Sequence, residues 1–224
     1  MCQDLHVSET VTSILGADEP GQDDLDRILS AAPIDRETAL APQTPVPAVG
    51  GIYAWWFDEL PGEVDASGCV ERDGWTLLYV GISPKAPPRN GRVASSQTLR
   101  SRIRTHYCGN AAGSTLRLSL GSLLSPALGI ELRRFGSGDR LHFGTGEQEL
   151  SRWMHDHARV GWSTDSTPWE VESRLFTKLV LPLNLDGNDH CSYYARLKQA
   201  RGDARAHARS LPVLPNPGVG GRYP

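Results

Sequence analysis

Two short, unbroken apolar runs stand out along the chain, Gly51-Ile-Tyr-Ala-Trp-Trp-Phe57 and Thr76-Leu-Leu-Tyr-Val-Gly-Ile82. Both are rich in β-branched and aromatic residues. Turn formers bound them: Gly50-Gly51 before the first, Asp73-Gly74 before the second and Ser83-Pro84 after it. This punctuation predicts two antiparallel strands joined by a long polar loop over 58–74, with a third strand over Arg159–Thr164.

Helical spacing takes over after the second run. Thr98 is a good N-cap for a helix over Leu99–Tyr107, in which Leu99, Ile103 and Tyr107 recur every four residues as the buried stripe. Arg102 and His106 form an adjacent stripe, while Arg100 and Arg104 sit on the outer side. Further helices are expected over 116–128 and 147–158. His155 and His157 lie on different faces of the latter, so they are no chelating pair. Thr167-Pro168-Trp169-Glu170 reads as a capping box that opens a helix running to about Val180.

That helix carries two glutamates about 200° apart around its axis. Glu170 caps and faces out; Glu172 falls among Val171, Leu175, Phe176 and Leu179 and faces in. A buried carboxylate is expensive alone. Glu172 is therefore either the partner of an arginine or a ligand to a divalent cation. Asn184, just beyond, either closes a turn or reaches back to the same place.

Composition limits the rest. With 39% hydrophobic and 22% charged residues over 224 positions, the chain can bury a core, and global disorder is excluded. No apolar run approaches a membrane span and no signal-like region opens the sequence, so a cytoplasmic protein without a membrane partner is expected. The four cysteines (Cys2, Cys69, Cys108, Cys191) lack metal-knuckle spacing and read as reduced thiols. Three regions are expected: an acidic, proline-rich arm over 1–47, an α/β domain over 48–190, and a tail over 191–224. The arm has short helices over 1–16 and around Asp23–Ser30, and it wraps the domain or stays mobile. The tail has a basic helix over Ser192–Ser210 and then an irregular end.

Charge is distributed unevenly. Residues 1–50 hold nine carboxylates and two arginines, net −7, against a net charge of −3 for the whole chain. From Gly74 to Ile130 there is no Asp or Glu, but there are seven basic residues: Lys85, Arg89, Arg92, Arg100, Arg102, Arg104 and Arg117. Such a segment suits a polyanion, since each neutralised phosphate releases counterions, and it equally suits a basic face balanced by the acidic arm.

Taken in order, Gly51-Ile52-Tyr53, Tyr79-Val80-Gly81, the helix Leu99–Tyr107 with Arg102 and His106, and Glu172 followed by Pro182-Leu-Asn184 resemble the GIY-YIG nuclease family. The resemblance covers about residues 49–185. It implies an α/β fold with a small three-stranded, mainly antiparallel sheet flanked by helices. It also implies hydrolysis of a DNA phosphodiester with one divalent cation, Mg²⁺ or Mn²⁺. Carried over by position, Tyr53 is the general base, and Tyr79 lines the site and places the water. Arg102 meets the scissile phosphate, His106 receives or relays the proton of Tyr53, and Glu172 holds the metal. Gly51, Gly81 and Asn184 support the site; Lys85, Arg89, Arg92, Arg100 and Arg104 are the expected nucleic-acid contacts. The chain departs from the family pattern in its long loop between the two tyrosine motifs and in the extended loop over 83–96. RNA or branched DNA as substrate, a binding module without cleavage, and a protein partner or homo-oligomer all stay open at this point.

Overall fold

The computed structural model describes residues 22–88, 93 and 95–216. The chain runs α1 (Gln22–Ser30), α2 (Arg36–Leu40), β1 (Gly51–Phe57), β2 (Glu71–Arg72), β3 (Trp75–Ser83), α3 (Leu99–Cys108) and α4 (Thr115–Leu128). It continues through β4 (Arg133–Phe135), β5 (Arg140–His142), α5 (Gly146–His157), β6 (Ala158–Thr164), α6 (Pro168–Phe176) and α7 (Tyr194–Ser210).

All seven positions of β1 are buried, which explains an apolar run without alternation: both faces of the strand are covered. β1 lies inside an antiparallel sheet of order β2-β3-β1-β6. The sheet therefore has four strands where three are expected. The extra one, β2, pairs only Glu71 with Thr76 and Arg72 with Trp75. It is held by a two-residue turn in which Asp73 (φ 52°) and Gly74 (φ 80°) both take the left-handed backbone that such hairpins need. β4 and β5 form a separate hairpin.

One sheet face carries Tyr53, Trp55 and Phe57 against the apolar stripes of α3, α4 and α5. The other carries Ile52, Ala54 and Trp56 against Ile28 of α1 and Val171 and Leu175 of α6. The segment before β1 wraps this core. Asp24 accepts two hydrogen bonds from Arg174 of α6, Ile34 exchanges backbone hydrogen bonds with Val160 of β6, and Val46 is fully buried. At the other end α7 lies along α4 and buries Leu197 and Ala208. The helix expected over 1–16 falls outside the described residues.

Two local expectations are corrected at α6. No capping box forms: Thr167 makes no side-chain bond to the helix, and its N–H donates instead to Asp165 Oδ1 at 2.8 Å. Glu170 is consequently an exposed first-turn residue with no capping bond. The helix also stops at Phe176, not near Val180. The Thr177 hydroxyl donates to Arg174 O at 2.8 Å and competes for a carbonyl at the last turn. α3 follows expectation, with a capping box between Thr98 and Ser101.

Candidate active site

In the register of β1 against β3, Tyr53 stands opposite Gly81 and Trp55 opposite Tyr79. The two tyrosines therefore share one face, offset by two residues, with ring centroids 6.5 Å apart. Gly81 leaves the room that Tyr53 fills. α3 crosses this face and presents Arg102 and His106 on successive turns.

Two side chains meet at the Tyr53 hydroxyl. His106 Nε2 lies 2.9 Å from it, and Arg102 donates to it through Nε at 3.3 Å. His106 Nδ1 lies 2.7 Å from Ser114 Oγ, the N-cap of α4, which also accepts from Arg117 N at 3.1 Å. Arg102 donates a second bond through Nη1 to Gly113 O at 2.8 Å, and the Tyr79 hydroxyl meets Thr115 Oγ1 at 3.2 Å. The start of α4 thus steadies both the histidine and the second tyrosine.

Tyr53 and His106 are fully enclosed, and both titrations shift accordingly. Burial holds the Tyr53 phenol well above the usual tyrosine range, with the Arg102 charge pulling the other way. Burial, reinforced by Arg102 and Arg117, holds His106 well below the ordinary histidine value, so its ring is neutral at working pH.

Beside this cluster a cleft of about 290 Å³ opens at the outer edge of β3. Tyr53, Tyr79, Arg102, Glu172, Lys85 and Arg201 are among its walls. Burial raises the Glu172 carboxyl to about 7, opposed by the Lys85 charge and reinforced by Asp186. Glu172 makes no hydrogen bond or ion pair with any other described residue, so the arginine-paired alternative does not hold for it. No group of three or more His, Cys, Asp or Glu side chains gathers as a metal site among the described residues. A cation at Glu172 would take one protein carboxylate, with Asp186 beside it on the cleft wall.

The other expected residues divide. Lys85 is exposed at the cleft. Asn184 lines the cleft, but both ends of its amide are committed to the backbone of Val80. Gly51 lies away from the cleft; a Cβ there would meet Ser163 O at 2.2 Å and Leu99 at 2.8 Å, so it serves the approach of β6 and α3. Arg100 and Arg104 are exposed and outside the cleft, and Arg100 Nε donates to Val46 O at 2.8 Å. Arg89 and Arg92 fall outside the described residues. Arg117 does not belong to a basic surface at all: it is fully buried in an ion pair with Glu147 at 2.7 Å.

Ser114, Thr115, Asp186 and Arg201 are the participants that sequence reasoning passed over. Arg201 carried a legible signal, because it follows Leu197 by four residues and precedes Ala208 by seven on the buried face of α7.

A family model described as the GIY-YIG catalytic domain matches residues 51–203, from the first residue of β1 into α7. Neither the curated proteins nor the solved structures give a significant match.

Proposed function

The chain belongs to the GIY-YIG family, a nuclease fold, and from this membership and the cleft we propose a divalent-metal-dependent DNA endonuclease. One observation carries the reading. A tyrosine oxygen held by an arginine and a histidine shares a cleft with a carboxylate that has no protein partner.

The donor accounting favours one histidine tautomer. Ser114 is buried, its oxygen accepts from Arg117 N, and the acceptor within reach of its own proton is His106 Nδ1. His106 then carries its proton on Nε2 and donates to Tyr53, as Arg102 does. Two N–H donors on one phenol oxygen stabilise its anion against the cost of burial. The proton of Tyr53 is left facing the cleft. In this reading His106 supports the tyrosinate as a donor, where a proton-accepting role is the sequence-based expectation.

Tyr53, once ionised, takes the proton of the attacking water, and Tyr79 with Thr115 limits where that water sits. Arg102 meets charge building on the scissile phosphate. Glu172 fits a divalent cation, since its carboxylate is half-enclosed, lines the cleft and lacks a protein donor. A bound Mg²⁺ or Mn²⁺ supplies positive charge for the phosphate and the departing oxygen. Lys85 guides the strand to the cleft mouth.

The test is incubation with plasmid, linear, branched and single-stranded DNA and with RNA, each with Mg²⁺, Mn²⁺ or EDTA. Cleavage of DNA by the wild type is expected with metal and lost in EDTA, in Tyr53→Phe and in Glu172→Gln. Metal-independent cleavage, or none of any substrate, overturns the reading; cleavage of RNA alone redirects it to that polymer.

A further inference from the structure

The chain buries two arginines in opposite ways. Arg117 has every guanidinium nitrogen bonded: Nε to Glu147 Oε2, Nη1 to His106 O and Tyr107 O, and Nη2 to Glu147 O. Arg201, 8% exposed, has none. Its Nε is buried without a hydrogen-bond partner, and the side chain makes no ion pair with another described residue. Arg201 is part of the wall of the cleft that Tyr53, Tyr79 and Glu172 line.

A buried, unmatched cation is costly to the fold, and a chain keeps one where an anion arrives later. The cleft has no carboxylate to spare for it. Glu172 is the metal-binding candidate, and Asp186 is exposed and influences both that residue and Arg201 electrostatically. Three cations (Lys85, Arg102, Arg201) face two carboxylates in the wall, so the cleft favours an anionic guest before any metal is counted. Arg102 has already committed Nε and Nη1 to Tyr53 and Gly113, whereas Arg201 retains all its donors.

We propose that Arg201 is a second substrate-binding arginine, which takes a phosphate of the nucleic acid on the Tyr79 side of the cleft. Arg102 takes the scissile phosphate on the Tyr53 side. This rests on the nuclease reading and makes α7 part of the active site. The planar fork of an arginine suits two oxygens of one phosphate. Burial holds the Tyr79 phenol above the usual tyrosine range, and the charges of Arg102 and Arg201 pull the other way.

Arg201→Met and Arg201→Lys test the assignment through three readouts: Tm, binding of duplex DNA in EDTA against salt, and cleavage with Mg²⁺. Arg201→Met keeps the volume and removes a buried charge, so its Tm should hold or rise. The slope of log affinity against log salt should fall by about 1, as for one lost phosphate contact. Its kcat/KM should drop by roughly 100-fold, with partial recovery in Arg201→Lys. A lowered Tm with unchanged salt slope and unchanged kcat/KM overturns the proposal and makes Arg201 structural. A wild type that neither binds nor cleaves nucleic acid brings down the nuclease reading and this proposal with it. An active wild type beside an unaffected variant places the failure on Arg201 alone.

Discussion

The phenol of Tyr53 lies over the α-carbon of Gly81: a Cβ built there would sit 2.5 Å from Tyr53 Oη and 2.6 Å from its Cζ. The ring cannot simply lean away, because His106 and Arg102 hold its oxygen from the other side. Gly81→Ala should therefore keep the fold and misplace the one atom on which the chemistry depends. Cleavage is expected to fall on the order of 100-fold, the scale of a displacement of about 1 Å, with a lowered Tm from overpacking that costs about 1–3 kcal/mol. Unchanged kcat in a well-folded Gly81→Ala protein would show that the position of Tyr53 is not critical.

The pH profile distinguishes a tyrosinate base from a histidine base. The Tyr53 pKa lies above the working range, so the ionised fraction grows about tenfold per pH unit below it. In saturating Mg²⁺, log kcat should rise with a slope near 1 from pH 7 to 9. His106 is already neutral and adds no inflection near 6.5. A plateau beginning between pH 6 and 7 would instead indicate a histidine whose deprotonation activates the enzyme.

Glu172 links the cleft to stability. Burial pushes its folded-state pKa up to about 7, above the ordinary carboxylate range. For a group raised in this direction, the contribution to stability is fully present below the unfolded pKa and is lost as pH rises through the folded one. The metal-free protein should thus lose up to about 3 kcal/mol between pH 4.5 and 8 from this group. Glu172→Gln should remove that slope, and added Mg²⁺ should restore wild-type Tm at pH 8 but not that of the variant. Parallel Tm–pH curves for the two proteins without metal would show that the carboxyl is solvated.

Much of this is legible in the sequence. The strands β1 and β3, the stripe Leu99, Ile103 and Tyr107, and the inward face of Glu172 follow from spacing, because apolar periodicity reports burial directly. What escaped were relations between distant segments. Ser114 is legible as the residue that opens α4, but no local pattern says that its oxygen meets His106. Arg117 looked like part of a basic surface because its partner, Glu147, lies thirty residues on. The box at Thr167 failed for a related reason: the motif was present, but Asp165, two residues earlier, had claimed the Thr167 amide.

The Arg117–Glu147 pair has a consequence for the site. Arg117 Nη1 donates to the carbonyls of His106 and Tyr107 at 3.1 and 3.2 Å, so it anchors the end of α3. Glu147→Ala leaves the guanidinium buried and unpaired and should cost about 3–5 kcal/mol in urea unfolding. Arg117→Met with Glu147→Leu should recover only part of that loss, because the His106 and Tyr107 carbonyls and the Ala111 and Phe143 N–H groups then lose their partners. A single Glu147→Ala variant as stable as wild type would show that water reaches the pair.

Asn184 gives the sharpest separation of scaffold from chemistry. β2 covers only the start of β3, so the rest of that edge needs other partners for its backbone. Leu183 N donates to Leu78 O at 3.1 Å, and the Asn184 amide does the work of another strand. Its Oδ1 accepts from Val80 N at 3.0 Å while its Nδ2 donates to Val80 O at 2.7 Å. Both ends of the amide are thus engaged with the β3 edge. Asn184→Asp keeps the acceptor but sets a carboxylate oxygen against the Val80 carbonyl, at a cost of about 1–3 kcal/mol. The loss should spread to the cleft, because Asp186 lies two residues on, in the turn that follows, and kcat/KM should fall along with Tm. Raising Mg²⁺ should not restore activity to Asn184→Asp or Asn184→Ala, since the defect is in the wall and not in the occupancy of the metal. Full rescue of either variant by excess Mg²⁺ at unchanged Tm would make Asn184 a metal ligand and refute the edge-pairing role.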